Sequence, residues 1–252
     1  MIQDSYCFQS QAQVPVVASI DKEMPHTVAS PAYELKFLID ENRSGEILAW
    51  ARQYMAPDPH VEPSLGDAYR ISSLYLDTLA LDAFCHRGSA ARSKFRLRRY
   101  GDESAVYLER KRKKRDCVEK RRVSVLEAET RLLQDPDTPS DWTGRWFHKR
   151  LRARRLQPIC QVTYERAAYV AGDPKDPLRL TLDTRLRCLP ATEWAVPSHH
   201  GRLDLLPGRR ILELKYRGLL PALFKRAIRD LGLSPAAISK YRLGVEACMR
   251  SV

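Results

Sequence analysis

Lys94-Phe95-Arg96-Leu97-Arg98-Arg99-Tyr100, a break at Gly101-Asp102-Glu103, then Val106-Tyr107-Leu108-Glu109-Arg110-Lys111-Arg112: the reading of this stretch decides the fold. Each run alternates with period two and predicts a β-strand, and the Gly-Asp between them predicts a hairpin turn. Lys94, Arg96 and Arg98 share one face, with Phe95 and Leu97 on the other. Glu109 and Lys111 likewise lie opposite Val106 and Leu108. An antiparallel sheet commonly turns one polar face to water. The hairpin alone therefore leaves open whether its charged face meets bulk solvent or an enclosed cavity.

The same design recurs on both sides of the hairpin. Tyr33 to Ile39 sets Glu34 and Lys36 against Leu35 and Phe37, and Ile211 to Arg217 sets Glu213, Lys215 and Arg217 against Leu212, Leu214 and Tyr216. Leu178 to Arg187 gives leucines on one face and Arg179, Thr181, Asp183, Arg185 and Arg187 on the other. Tyr69 to Asp77 is a further strand, and Ile159 to Val170 puts Val162, Tyr164, Arg166 and Ala168 in register. Cys117 to Leu126 divides less cleanly, with Arg121, Val123 and Val125 opposed to Lys120, Arg122 and Ser124.

Helical stripes fill the gaps. Asp40 to Ser44 offers capping chemistry before Ile47, Leu48, Ala51, Tyr54 and Met55, and that helix ends before Pro57. Leu79 to His86 predicts a short helical turn. Ser140-Asp141-Trp142 opens a helix burying Trp146, Phe147 and Leu151, with a basic end from His148 to Arg155 that suits the helix dipole. Leu220 to Leu231 forms a stripe stopped by Gly232. Ser234-Pro235 reads as an N-cap with proline at the first position, starting a last helix through Lys240, Tyr241, Val245 and Met249. Residues 1–30 show no sustained period and are expected to form a flexible arm, with one domain over 31–252.

Each amphipathic helix must bury its stripe. Laid on the leucine faces, the helices turn the charged faces towards one another, inside an antiparallel β-barrel of about eight strands with flanking helices, an α+β fold. Unpaired buried charge costs several kcal/mol per ion, so such an interior is a wet, polar tunnel for an anion rather than a dry core. A sandwich or open sheet with solvated charged faces satisfies the same periodicity.

Composition narrows the chemistry. The 252 residues carry 43 Lys+Arg against 31 Asp+Glu, a net charge of +12, which favours a polyanionic partner. Six cysteines, at 7, 85, 117, 160, 188 and 248, show no Cys-x-x-Cys spacing and read as reduced thiols of a cytosolic protein. No long apolar run and no basic-then-apolar N-terminus occurs, so neither a transmembrane segment nor a signal peptide is expected. Both glycine-rich phosphate cradles are missing, no Ser or Cys triad is indicated, and His199-His200 falls in a loop. Confined Arg and Lys neutralise phosphates. Carboxylates among them (Glu34, Glu109, Asp183, Glu213) suit Mg²⁺ or Mn²⁺ bridging phosphate oxygens, and phosphoryl transfer needs little beyond such positioning. Nucleic acid is disfavoured, because carboxylates share the basic faces and no exposed aromatic platforms accompany them.

Tyr33-Glu34-Leu35-Lys36, Tyr75-Leu76-Asp77-Thr78, Lys94 to Arg98, Glu109-Arg110-Lys111, Tyr164-Glu165-Arg166, Glu213 to Tyr216 and Ser239-Lys240-Tyr241 follow one another in order. Together they resemble the VTC domain, the catalytic domain of the vacuolar transporter chaperone polyphosphate polymerases, within the CYTH or triphosphate tunnel metalloenzyme superfamily. The resemblance implies an antiparallel tunnel barrel that transfers the γ-phosphate of ATP to inorganic polyphosphate, releasing ADP with Mn²⁺ or Mg²⁺ as cofactor. It assigns phosphate contacts to Lys36, Arg96, Arg98, Lys111, Arg121, Arg166 and Lys240, places Tyr164 beside Arg166, and makes Glu213 the metal ligand, with Glu34 beside it. Parity adds Arg185, Arg187 and Lys215. The hydrolytic members open with Glu-x-Glu-x-Lys, whereas Ala32 stands at the first glutamate here, which leans towards the polymerase branch. Hydrolysis of tripolyphosphate or a nucleoside triphosphate, and non-catalytic polyphosphate binding, remain the alternatives. The eukaryotic polymerases add a sensing module and membrane helices; a short N-terminal arm replaces neither, so synthesis in the cytoplasm is expected.

Overall fold

Alternation builds one antiparallel sheet, and its strands take the order that brings the charged faces together. The computed structural model describes residues 32–114, 117–196 and 202–250. The strands are β1 (Ala32–Asp40), β2 (Ala56–Pro57), β3 (Ala68–Asp77), β4 (Ser93–Tyr100), β5 (Ala105–Lys114), β6 (Cys117–Leu126), β7 (Gln157–Ala171), β8 (Leu178–Pro190), β9 (Leu203–Asp204) and β10 (Arg209–Arg217). The helices are α1 (Ser44–Tyr54), α2 (Arg145–Arg154), α3 (Ala222–Asp230) and α4 (Lys240–Arg250). Eight long strands run in the order β1-β10-β8-β7-β3-β4-β5-β6, with β2 added to β7 and β9 to β8. The sheet curls until its edges, β1 and β6, approach. Those edges share no ladder among the described residues. Instead Lys111 of β5 reaches Glu34 of β1 across the seam at 3.2 Å. The expected tunnel is present as a curled sheet closed by an ion pair.

The outer faces carry the leucines, as their periodicity requires. Phe37, Leu180, Leu182, Leu212 and Leu214 form one buried cluster with Ile47 and Ala51 of α1 and Phe224 and Ala227 of α3. Leu74, Phe95, Leu97, Val106 and Leu108 form another with Phe147 and Leu151 of α2. Each such side chain contributes about 1.5–3 kcal/mol when fully buried, so these two layers hold the curvature.

Several local expectations are corrected. Ser234-Pro235 does not start the last helix: Pro235 bridges to Phe37, and the Ala236 N–H donates to the Lys36 carbonyl at 2.8 Å. The helix begins at Lys240, where the Ser239 hydroxyl accepts the Arg242 N–H at 3.3 Å as the N-cap. This helix lies inside the curl, not outside it. Tyr241 and Val245 of α4 share a buried cluster with Ile71, Val162 and Leu186, and Tyr241 donates to the Asp77 carboxylate. Helix α2 starts at Arg145, with Trp142 buried ahead of it, and Asp40 makes no side-chain cap before α1. Within the turn after β3, the Cys85 N–H bonds the Leu81 carbonyl at 2.8 Å, giving the single helical turn expected there. Residues 1–30 and His199-His200 lie outside the described residues.

The largest departure is in β8. Thr163 pairs with Arg187 but Glu165 pairs with Thr184, so β8 carries one extra residue there. Arg185 absorbs it in the left-handed region at φ 50°, a conformation that costs a non-glycine residue about 1 kcal/mol. Side-chain parity inverts beyond the bulge. Leu186 and Cys188 therefore turn inward to meet α4, while Arg185 and Arg187 are exposed.

A Cβ built on Gly244 of α4 falls 3.0 Å from Val162 Cγ2 and 3.1 Å from Cys160 Sγ, so helix and sheet are tightly packed here. Gly244→Val adds branched bulk at that contact and is expected to lower stability by about 1–3 kcal/mol in urea unfolding, despite its better helix propensity. An unchanged midpoint would show that α4 is not seated there.

Candidate functional site

The inner face is lined by charge from most of the long strands. Pairing of β1 with β10 sets Glu34 beside Lys215 and Lys36 beside Glu213, and pairing of β10 with β8 continues the row to Arg179 and Thr181. Pairing of β4 with β5 sets Arg96 beside Glu109 and Lys94 beside Lys111, and pairing of β5 with β6 adds Lys120 and Arg122. Tyr164 and Arg166 face inward from β7, and Lys240 enters from α4.

At the deep end, Asp183 is fully buried and binds two cations. Arg166 makes a bidentate fork to it, Nε–Oδ1 2.6 Å and Nη2–Oδ2 2.7 Å, and Lys240 Nζ lies 2.5 Å from Oδ2. Glu213 receives Lys240 and Lys215, both at 2.9 Å, with Arg166 at 3.6 Å and Lys36 at 3.8 Å. Burial opposes ionisation of Glu213, but Lys215, Lys240, Arg166 and Lys36 outweigh it and hold the carboxyl well below its usual range. Near the seam, Glu34 takes Lys36 at 3.0 Å and Lys111 at 3.2 Å. Burial again works against its charge, as does Glu213, but Lys215, Lys36 and Lys111 bring it down to about 2. On the facing strands, Glu109 binds Arg96 at 2.5 Å and Lys120 at 2.7 Å.

Two cations lack such a partner. Arg98, 5% exposed, donates to Ser73 Oγ at 3.1 Å and to the Tyr164 hydroxyl at 3.0 Å, with no carboxylate at ion-pair distance among the described residues. Lys94 Nζ donates to Ser239 Oγ at 2.8 Å, again with no carboxylate at ion-pair distance among the described residues. Burial, reinforced by Lys36, Lys111, Arg96 and Arg242, pushes Lys94 down to about 8. An interior that leaves cations short of carboxylates holds a standing attraction for an anion.

Lys36, Arg96, Arg98, Lys111, Tyr164, Arg166, Lys215, Lys240, Glu34 and Glu213 are thus brought together. Three candidates are not. Arg121 projects from the outer face of β6, its guanidinium 4.3 Å from the Trp146 ring. Arg185 pairs with Glu165 at 3.0 Å on the outside, and Arg187 is exposed beyond the bulge. Sequence reasoning passed over Lys94, Lys120, Arg122 and Ser239. Lys94 shared the parity of Arg96, so its signal was available. Lys120 and Arg122 needed the β5–β6 register, which sets Arg122 beside Glu109.

For a divalent ion, the donor set is decisive. No three His, Cys, Asp or Glu side chains converge on one metal position among the described residues. Mg²⁺ carried by a phosphate ligand asks for only one or two carboxylates, with substrate oxygens and water completing the shell. Glu213 and Glu34 fit that limited role, and an all-protein cage is not present.

The sequence model of the VTC domain matches residues 31–249. The chain belongs to the VTC-domain family. A search of curated proteins finds no match. Among solved structures, this VTC domain is similar to a Bacillus halodurans protein provisionally called an adenylate cyclase, at 14% identity and TM-score 0.50, covering 83% of this chain and 94% of that one. It is also similar to a Hippeastrum protein provisionally called an adenylyl cyclase and described as having a dominant triphosphatase activity. There the identity is 12% and the TM-score 0.52, with 86% of this chain and 96% of that one covered. At such identities the likeness establishes the tunnel fold. No helix among the described residues is long and apolar enough to cross a membrane.

Asp183→Asn strips Arg166 and Lys240 of their shared partner and is expected to cost about 3–5 kcal/mol in urea unfolding. Arg185→Gln, at an exposed pair, should change stability by about 0.5 kcal/mol or less. The tunnel carboxyls bind protons more weakly folded than unfolded. Their contribution is therefore full above about pH 4.5 and is lost as pH falls towards 2, as Glu34 illustrates. The acid-induced loss should be smaller in Asp183→Asn; an equal loss would remove Asp183 from the charge network.

Proposed function

We propose that this VTC domain is an ATP-dependent polyphosphate polymerase. The observation that carries the reading is the confined inner face on which Lys36, Lys94, Arg96, Arg98, Lys111, Arg166 and Lys240 converge with too few carboxylates to neutralise them. Linear phosphate fits this geometry better than a compact anion, because the cations extend from the buried Arg166–Lys240 end to the half-exposed Lys111 and Lys120 at the seam.

In the proposed reaction a terminal polyphosphate oxygen attacks the γ-phosphorus of ATP. The new P–O bond forms as the bond to ADP breaks, and ADP leaves with the electron pair. Arg96 and Arg98 offer forked donors to non-bridging oxygens, Lys36 and Lys111 act as point charges along the chain, and Arg166 and Lys240, held on Asp183, add positive charge at the deep end. Tyr164, holding Arg98 at 3.0 Å and lying 5.0 Å under the Lys240 ammonium, fixes the direction of both. Glu213 with Glu34 would hold Mn²⁺ or Mg²⁺, which when bound supplies further neutralisation of the phosphate oxygens. The chain's own contribution is positioning and charge, which is most of what phosphoryl transfer requires.

Purified protein incubated with ATP and Mn²⁺ is expected to give ADP and a growing polymer ladder on a gel, with little free phosphate. ADP with equal free phosphate and no ladder would move the assignment to hydrolysis, and binding without turnover would leave a polyphosphate-binding module. Glu213→Gln should keep polyphosphate binding while turnover falls about 100-fold or more.

A further inference from the structure

The outer surface of the β5–β6 hairpin carries a second concentration of positive charge that the tunnel does not use. Arg110 and Arg121 are directly opposed across the two strands, a like-charge pair that destabilises a ladder. Two residues along, on the same face, Arg112 opposes Glu119, and Glu119 is already bound to Arg110 at 2.6 Å. Helix α2 lies against this face. Its Arg154 stands 5.6 Å from the Phe95 ring, and among the described residues its Nη1 and the Nε of Arg110 are buried without a hydrogen-bond partner. Burial, then Arg150, Arg110 and Arg112, make Arg154 a weaker base than a free guanidinium. Among the described residues Glu119 is the only carboxylate in an ion pair with these arginines.

Among the described residues this surface carries more cation than carboxylate, which is a net attraction for an anion. The guanidiniums offer forks matched to phosphate oxygens. Their placement also matters. Arg110 and Arg112 flank Lys111 on one strand, so successive side chains present cations to the inside and the outside of the same wall. Strand β6 is an end of the sheet and meets β1 at a seam held by partly exposed ion pairs, so the outer patch lies beside the place where an extended chain would pass from one face to the other.

We propose that Arg110, Arg112, Arg150 and Arg154 form an exosite on the outer wall that holds inorganic polyphosphate beyond the tunnel. The patch stands on its own geometry, while the choice of occupant rests on the polymerase reading. The exosite would retain a growing chain between turnovers, since a second contact on the same polymer acts at high effective concentration.

The test compares wild type with Arg112→Gln/Arg150→Gln, both exposed positions outside the tunnel, using long-chain polyphosphate and tripolyphosphate as separate probes. Long-chain affinity is expected to fall tenfold or more, with a shallower salt dependence, while tripolyphosphate affinity is unchanged. Unchanged long-chain affinity would overturn the exosite. Loss of single-stranded RNA binding with polyphosphate binding intact would overturn the occupant. If wild type fails to bind tripolyphosphate but the variant still loses long-chain binding, the tunnel reading falls and the exosite stands. Arg154→Met, which keeps an apolar stem over Phe95, supplies an independent readout. It should raise the melting temperature of the ligand-free protein while weakening long-chain binding. A lower melting temperature with unchanged binding would show a merely structural arginine.

Discussion

Asp183 and Glu213 holding Arg166 and Lys240 between them is the interaction on which the rest of the structure depends. These four side chains come from β7, β8, β10 and α4, and all are nearly inaccessible to solvent. Cations at this depth cannot be left to water, and carboxylates at this depth cannot be left to themselves. Pairing settles both demands and ties the C-terminal helix to three strands. The opposite side, where Lys111, Lys120 and Arg122 line the seam, is held only by partly exposed ion pairs. A gradient from locked to loosely paired charge therefore runs across the interior.

That gradient connects stability to function. Carboxylates at the deep end are committed to organising arginine and lysine and so serve as scaffold. Lys94 and Arg98, which make no ion pair with a carboxylate among the described residues, are the cations least committed within the fold. Stability lost to uncompensated charge in the free protein is regained when an anion binds, which makes ligand binding and folding two expressions of one electrostatic balance.

Much of this was legible in the chain. Strict alternation in β1, β4, β5 and β10 assigned the inner faces correctly, because one parity held leucine, valine or phenylalanine and the other held charge. Strand β6 was ambiguous because both parities contain basic residues: Arg121 outside, stacked on Trp146, and Lys120 and Arg122 inside. Only its pairing with β5, where Glu109 demands a cation opposite, separates them. The bulge in β8 had no compositional mark, since an arginine rather than a glycine occupies the left-handed position. Carrying the alternation through it placed Arg185 and Arg187 on the wrong face. Helix α4 was misplaced for a different reason. Ser234-Pro235 is a good helix start locally, but Pro235 and Ala236 are taken up by contacts to β1, and the cap passes to Ser239.

Linear phosphate, as proposed, enters the charged interior as its outer ion pairs part to admit it. A crystal structure of the protein grown with tripolyphosphate and Mn²⁺ tests this most directly. Three phosphates are expected in line inside the curl, in contact with Lys36, Lys94, Arg96 and Arg98, with Arg166 and Lys240 still on Asp183. A tripolyphosphate found only on the outer wall, with the interior ion pairs unchanged, would contradict it.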